Sequence, residues 1–170
     1  KVSSGDNNFY PLLSTIAHFN KTIILSTGLM KLSEIKKTVS FINKIWKKIK
    51  KNKKKLILLH CVSSYPVESK DANIKSISYL KDKLKNNIIG YSDHTIGNSA
   101  AVGAVYLGAK VIEKHFTLNN NYSSFRDHKL SLNPKNMKKL VDEIRKAEEL
   151  LGEYKKKKNK TEEKNINSMR

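Results

Sequence analysis

The sequence predicts an α/β protein in which a parallel sheet is covered by helices. Short apolar runs alternate with longer segments whose apolar residues recur every three or four positions. The short runs are hydrophobic at consecutive positions, which is typical of strands buried on both faces of a parallel sheet. Polar residues follow each run, and α/β proteins place their chemistry at the carboxyl ends of such strands.

Five strands and five helices are predicted along the chain. The strands begin near residues 1, 22, 56, 87 and 110, with the sequences KVSS, TIILST, LILLH, NIIGYS and KVIEKHF. The helices are predicted over residues 11–19, 32–50, about 74–84, 98–109 and 134–151, with a long loop before the last one. Both a doubly wound sheet and a TIM barrel fit this alternation, since a complete barrel needs about eight units.

The chain is expected to form one domain over residues 1–152, followed by a tail. Residues 153–170 are rich in lysine and lack an apolar period, which predicts a basic linker. The chain opens with KVSSGD, inside what reads as a strand and without an initiator methionine. We interpret the sequence as a fragment of a longer protein.

The formal charge of +19 raises the possibility of a nucleic-acid-binding protein. However, 31 of the 34 basic residues are lysine and 17 asparagines accompany them. Proteins that read phosphates and bases favour arginine and interleaved aromatic residues, so no nucleic-acid partner is expected. The single cysteine excludes an intrachain disulfide, and no stretch has the roughly 20 apolar residues of a membrane span. With no signal peptide in the sequence, these features predict a cytoplasmic protein without a membrane partner.

Polar side chains cluster after every predicted strand. The clusters are Ser3, Ser4 and Asp6; Ser26, Thr27 and Gly28; His60, Cys61, Ser63, Ser64 and Tyr65; Ser92, Asp93, His94 and Thr95; and Glu113, Lys114 and His115. Scattered surface polarity would rarely mark every strand end. We therefore expect a polar site at this end of the sheet.

His94 and His115 follow successive strands and could reach one divalent metal if those strands are neighbours. Two imidazoles with nearby oxygen ligands suit Mn²⁺, Fe²⁺, Co²⁺ or Zn²⁺ about equally. Glu113 lies two residues before His115, hence on the same face, and Lys114 should point the other way. The alternative that each histidine merely bonds its own loop remains open, as does a turn-capping role for Asp93. Cys61 is interpreted as structural.

Six segments, in order, closely resemble the sialic acid synthases. They are KVSSGD, IILSTGLM, LLHCVSSYP, GYSDHTIG, LGAKVIEKHFTL and DHKLSL, and the resemblance extends from residue 1 to about residue 152. It implies a partial TIM (β/α)8 barrel comprising strands four to eight with their helices. It also implies a transferase of the sialate or legionaminate branch of nonulosonic acid biosynthesis, which condenses phosphoenolpyruvate with an N-acylated mannose-type sugar and releases phosphate.

The resemblance also places the site residues. The metal ligands fall on His94 and His115, which with Glu113 form the catalytic set, and the metal is expected to be Mn²⁺. The substrate-binding residues fall on Lys1, Ser4, Ser63, Tyr65, Ser92, Glu113 and Asp127. Of these, Lys1 and the three serines match the phosphoenolpyruvate site; Tyr65 and the two carboxylates match the sugar site.

Two departures from the family pattern affect these expectations. The usual Pro-Gly-Pro before the Asp-His pair is replaced by SSFR, with one extra residue, which bears on the match of Asp127. The first three strands of the barrel and the antifreeze-like domain of a homodimeric family are outside this sequence. We therefore expect the 170-residue chain alone to be unstable and inactive. Another metal-dependent barrel that condenses phosphoenolpyruvate or cleaves an aldol is the alternative enzyme.

Overall fold

The structure is a computed structural model that describes residues 1–49 and 56–169. Its helices are α1 (Tyr10–His18), α2 (Leu32–Lys48), α3 (Lys75–Lys83), α4 (Ser99–Tyr106), α5 (Arg126–Leu130), α6 (Pro134–Leu151), α7 (Lys160–Glu163) and α8 (Ile166–Met169). Its strands are β1 (Ile23–Ser26), β2 (Leu56–Cys61), β3 (Ile88–Asp93) and β4 (Ile112–Lys114). The predicted α/β class is confirmed. Residue 50, assigned to the second predicted helix, lies outside the described residues.

The four strands form one parallel sheet in the order β1-β2-β3-β4. Each of the first three strands is followed by a helix that returns the chain to the amino end of the next strand, the arrangement that parallel pairing requires. The register aligns Cys61 with Ser92 and Ser92 with Glu113, so the polar ends of β2, β3 and β4 lie side by side.

Residues 1–4, predicted to be the end of a strand, pair with β1 at one position. Within the described residues, this segment makes one isolated parallel bridge, between Val2 and Leu25. Val2 N donates to Ile24 O at 2.8 Å and Val2 O accepts from Ser26 N at 3.1 Å. Beyond that bridge a 3-10 turn begins, closed by a 2.8 Å hydrogen bond from Ser3 Oγ to Asp6 Oδ2. The turn ends the pairing after Val2, which lies beside β1.

One face of the sheet packs against the helices and forms the core. Ile23, Leu25, Leu58 and Ile89 are at most 3% exposed on this face. The apolar stripe of α2 meets it, and Trp46 Nε1 donates to Ala17 O at 3.1 Å, which joins α2 to α1. Amphipathic helices over a parallel sheet are the outcome that the apolar periodicity predicts.

The opposite face is the inner face of a curled half-barrel. Ile24, Ile57 and Ile88 alternate with the core residues along their strands and are only half-buried. Gly90 lies on this face, and a Cβ there would overlap the backbone of Val111 and the side chain of Leu59. The glycine thus lets β3 and β4 approach each other closely.

The carboxyl-terminal part of the chain differs from prediction in two ways. The loop before Pro134, predicted to be irregular, contains the short helix α5, and the predicted tail contains the single-turn helices α7 and α8. Helix α6 has the predicted bounds: Asn133 Oδ1 caps it by accepting from Asn136 N at 3.0 Å. In the described ranges, none of the helices is both long and apolar enough to cross a membrane.

Candidate active site

A chain of polar contacts crosses the concave end of the sheet. Lys1 Nζ lies 3.0 Å from Ser26 Oγ and 3.2 Å from Glu113 Oε1, and Ser92 Oγ donates to the same carboxylate oxygen at 2.7 Å. Lys1 is beside β1, whereas Glu113 is on β4, four strand spacings away. In a flat sheet that separation would be about 19 Å. The contact therefore requires the curl, which brings the two edges of the sheet to one site.

The two predicted metal-binding histidines lie together at this end. The ring centroids of His94 and His115 are 5.3 Å apart, with the rings nearly perpendicular. Tyr65 packs beside both, with centroids 4.2 Å from His94 and 5.7 Å from His115. The structure thus brings three of the predicted site residues into one cluster.

The proton position on His94 follows from its partners. Nδ1 lies 2.8 Å from Val62 O, which can only accept, so in the neutral imidazole Nδ1 carries the hydrogen and Nε2 has the lone pair. Nε2 is 3.5 Å from Ser92 Oγ, whose hydrogen is directed to Glu113. The Nε2 lone pair is therefore available to a ligand. A backbone carbonyl that fixes the tautomer of a metal-binding histidine is a common arrangement.

The surroundings of His115 favour its neutral form. Burial lowers the pKa of His115 first of all, and His94 and Lys114 lower it further. Asp127 and Glu113 act in the opposite direction, since both carboxylates favour the charged imidazole. The electrostatic influence of Asp127 places this residue near the cluster, at the start of α5.

A group of small side chains lies where the loops after β1 and β2 meet. A Cβ on Gly28 would overlap the hydroxyls of Ser4 and Ser63, so only glycine fits between them. Ser4 Oγ is 3.5 Å from Cys61 Sγ. Ser63 Oγ is buried and has no hydrogen-bond partner among the described residues. A buried hydroxyl of this kind is a candidate contact for a ligand oxygen.

Helix α5 is held in place by Asn120. Its side-chain amide donates to His128 O at 2.9 Å and to Ser131 O at 2.7 Å, and its Oδ1 accepts from Asn133 Nδ2 at 3.0 Å. Thr117 Oγ1 and His128 Nδ1 are 2.9 Å apart, which ties the helix to the end of β4. These bonds fix the segment carrying Asp127 despite its unusual SSFR sequence.

Other predicted polar residues lie on the helix side of the sheet. His60 stacks on Tyr91 with centroids 5.7 Å apart and its Nε2 lies 3.0 Å from Ala72 O, so it is a structural residue. Asp93 Oδ1 caps the following turn by accepting from Thr95 N and Thr95 Oγ1, both at 2.8 Å. Lys114 points away from Glu113, as expected, and pairs with Asp93.

Sequence reasoning missed Asn7 and the carbonyl of Val62. Asn7 is buried and donates to Ser26 O at 3.2 Å and Gly28 O at 2.8 Å, which fixes the loop after β1. The sequence signal was an asparagine directly after the first polar cluster. A backbone carbonyl such as that of Val62 has no signal in the sequence.

The described residues contain no group of three or more histidine, cysteine, aspartate or glutamate side chains that could hold a metal ion. His94 and His115 could supply two nitrogen donors, and oxygens of substrate or water could complete the coordination. Imidazole nitrogens fit a divalent cation in this role.

Comparisons with known proteins point to one family. The family model described as "NeuB family" matches residues 1–156. The N,N'-diacetyllegionaminic acid synthase of Campylobacter jejuni is 44% identical over 170 residues, which are 100% of this chain and 49% of that protein. The chain spans about half the length of the curated relatives it matches.

Solved structures agree with the sequence comparison. The crystal structure of N-acetylneuraminic acid (sialic acid) synthetase from Leptospira borgpetersenii, in complex with citrate, has a TM-score of 0.86 and 37% identity, and covers 98% of this chain and 55% of that chain. The DAHP synthase of Thermotoga maritima has a TM-score of 0.69 at 18% identity, and covers 88% of this chain and 44% of that chain. The second likeness concerns the fold alone.

Proposed function

Because the chain belongs to the NeuB family, we propose that it is part of a synthase that condenses phosphoenolpyruvate with an N-acylated mannose-type sugar. The observation that carries this proposal is the meeting of Lys1, Ser92 and Glu113 with the His94–His115 pair at one concave end of the sheet. The site combines groups suited to an anion with groups suited to a metal. The homologues of the chain are sialic and legionaminic acid synthases.

We assign β1–β4 to strands five to eight of a (β/α)8 barrel, and the Val2 segment to strand four. The curl of the sheet and the half-buried inner isoleucines, Ile24, Ile57 and Ile88, support this assignment. Further strands would cover that inner face. We therefore propose that the isolated chain is inactive. We also propose that the complete enzyme is a cytoplasmic homodimer.

In the proposed reaction, the π electrons of phosphoenolpyruvate form a bond from its C3 to the aldehyde carbon of the open-chain sugar. The aldehyde oxygen takes up a proton and becomes a hydroxyl. Water adds to the resulting cation at C2 and loses a proton. The C2–O bond to phosphate then breaks, and the C2 hydroxyl gives its proton to the departing phosphate, so that inorganic phosphate leaves and C2 becomes a ketone.

The residues of this chain divide between the two substrates in this proposal. Lys1, Ser4, Ser63 and Ser92 bind phosphoenolpyruvate, because an anion can replace Glu113 as the acceptor for Lys1 and Ser92. Glu113 and Asp127 accept hydrogen bonds from sugar hydroxyls, and Tyr65 supplies an apolar wall beside the histidines. Their contribution is orientation of the reacting carbons.

His94 and His115 would hold a divalent cation, for which we propose Mn²⁺. When bound, the cation polarises the aldehyde carbonyl toward attack. The protein prepares these ligands in two ways. The Val62 carbonyl bonds Nδ1 of His94 and leaves Nε2 as the nitrogen open to a cation, and burial lowers the pKa of His115, which favours its neutral form.

The test follows phosphate release by the natural-length protein that contains this chain. Phosphoenolpyruvate and Mn²⁺ are supplied with either N-acetylmannosamine or its 2,4-diacetamido-6-deoxy relative. We expect release that depends on one of the sugars and is abolished by EDTA and by His115→Ala. The matched control is His18→Ala, since His18 is exposed on α1 and bonds only within that helix's backbone among the described residues.

If a folded, metal-loaded protein releases no phosphate with either sugar, the proposal is contradicted. Sugar-independent phosphate release would point instead to another phosphoenolpyruvate-dependent barrel enzyme. Activity that survives His115→Ala would remove the histidine pair from the mechanism.

A further inference from the structure

A buried ion pair lies directly behind the candidate active site. Lys114 Nζ donates to Asp93 Oδ2 at 2.9 Å, and the two side chains are 1% and 0% exposed. Asp93 immediately precedes His94, and Lys114 lies between Glu113 and His115. The pair is on the helix side of the sheet, opposite the residues assigned to the reaction.

The hydrogen bonds of the pair form a closed network. Asp93 Oδ1 accepts from Thr95 N, Thr95 Oγ1 and Tyr91 Oη, at 2.8, 2.8 and 3.2 Å. Lys114 Nζ also donates to the carbonyl of Thr95. Each group therefore has one orientation in which its partners are satisfied, and rotation of either side chain would break several bonds.

Stability alone is a poor explanation for this pair. Two charges lose their hydration on burial, and well-packed apolar residues in their place are often as stable or more so. Apolar contact is non-directional, whereas a network of charged hydrogen bonds fixes distance and angle. The feature that the ion pair adds is a defined geometry between the two strand ends.

The pair also occupies the last rung of the β3–β4 ladder. The aligned residues are Tyr91 with Ile112, Ser92 with Glu113, and finally Asp93 with Lys114. His94 and His115 follow this rung, and their carbonyls bond elsewhere: that of His94 accepts from Val67 N, and that of His115 from Leu132 N. Alternation along each strand places the neighbours of the pair on the inner face.

We propose that Asp93 and Lys114 are positioning residues that set the spacing and orientation of the His94–His115 pair. This inference rests on the proposed function, because it treats the two histidines as ligands of one cation. The Asp93–Lys114 ion pair fixes the backbone at the final rung of the ladder and so limits how far the two imidazoles can separate. Neither residue contacts the cation or a substrate in this role.

The test measures Co²⁺ binding to the natural-length protein, by calorimetry and by the visible absorption of bound Co²⁺, alongside the free energy of unfolding. Lys114→Met leaves Asp93 unpaired and lowers both stability and affinity. The double variant Asp93→Asn with Lys114→Met has no buried charge at this position and keeps an Oδ1 acceptor. It should therefore recover much of the stability that Lys114→Met loses. We expect both variants to bind Co²⁺ at least about tenfold more weakly than wild type, with a shifted spectrum.

The double variant separates positioning from stability. If its stability and its Co²⁺ affinity both return to wild-type values, the pair is merely structural and the inference is overturned. Asp93→Glu, which keeps the charge and adds one methylene, serves if neither variant folds. Wild-type Co²⁺ affinity and spectrum in that variant would equally overturn the inference.

Two controls distinguish this inference from the proposed function. Lys138→Met disrupts the exposed Lys138–Asp142 pair on α6 and should leave Co²⁺ binding unchanged. His115→Ala should abolish binding. If wild-type protein binds no Co²⁺, or His115→Ala binds it equally well, the metal site of the proposed function fails, and the inference fails with it.

Discussion

Neighbouring residues of β4 form two ion pairs that differ in almost every physical respect. Lys114 pairs with Asp93 on the helix side of the sheet, where both side chains are at most 1% exposed. Glu113 pairs with Lys1 on the inner side, where the side chains are 40% and 36% exposed. The partners of the first pair come from adjacent strands, whereas those of the second meet across the curl of the sheet.

The difference indicates that the two faces serve separate purposes. A buried pair is expensive to break, because the remaining charge has no water to replace its partner. A half-exposed pair is weak, since water and ions compete for both charges. Lys1 and Glu113 can therefore separate and bind groups of a ligand instead. Asp93 and Lys114 stay paired and hold together the strands that carry the site.

Breaking the buried pair should have the largest effect on stability. We expect Lys114→Met in the natural-length protein to lower the free energy of unfolding by about 3–5 kcal/mol, because it leaves the Asp93 carboxylate buried without a counter-charge. Urea unfolding followed by circular dichroism measures this change. A loss comparable with that of Lys138→Met, at the exposed Lys138–Asp142 pair, would show that the Asp93 site is hydrated in solution.

Breaking the half-exposed pair should instead affect catalysis. We expect Lys1→Met to change the free energy of unfolding by less than about 1 kcal/mol. Loss of a charged hydrogen bond to phosphoenolpyruvate, worth about 1.5–3 kcal/mol, should lower kcat/KM for that substrate roughly ten- to hundredfold. The measurement is steady-state phosphate release at saturating sugar. An unchanged kcat/KM for phosphoenolpyruvate would remove Lys1 from the substrate site.

The two faces were not equally predictable from sequence. Consecutive apolar residues predicted three of the described strands closely, and the periodic stripe of α6 predicted its bounds. Alternation along β4 was sufficient to separate Glu113 from Lys114. These features depend on local patterns, which a single sequence contains.

Features that depend on distant contacts were not predictable in this way. Helix α5 is held by Asn120 rather than by an apolar stripe. The pairing of Lys114 with Asp93, 21 positions away, was also missed, whereas the turn-capping role left open for Asp93 is present. Pairing between strands depends on register, which the sequence alone does not fix.

The pH dependence of the free energy of unfolding tests the environment of a histidine on the helix side of the sheet. Burial lowers the pKa of His60 on the helix side, so on acidification the unfolded state takes up a proton before the folded state does. Its contribution is thus fully present above about pH 6.5 and is lost as pH falls toward the lower pKa of the folded state. We expect His60→Gln to reduce the acid-side slope of unfolding free energy by at most about 1.4 kcal/mol per pH unit.

The measurement is urea unfolding of the natural-length protein at a series of pH values from about 7.5 to 5. His115 contributes a slope of the same sign, because its pKa is lowered too, so only the difference between wild type and variant reports on His60. An identical slope in His60→Gln would mean that His60 is solvated in the folded protein.

The smallest expected stability change concerns the Ser63 hydroxyl. Its Oγ is buried without a hydrogen-bond partner among the described residues, so deleting it removes an unsatisfied polar atom. We expect Ser63→Ala to leave the free energy of unfolding within about 0.5 kcal/mol of wild type. If the hydroxyl binds phosphoenolpyruvate, KM for that substrate should rise about five- to tenfold, the loss of one neutral hydrogen bond.

Ser64→Ala is the matched control, because Ser64 is exposed and its Oγ donates to Pro66 O at 3.0 Å. Steady-state kinetics of both variants give the comparison. A raised KM in Ser63→Ala alone would identify the inner-face hydroxyl as a substrate contact. A wild-type KM for phosphoenolpyruvate in both variants would mean that Ser63 is packed against Gly28 for structural reasons. The anion site would then be formed by Lys1 and Ser92 without Ser63.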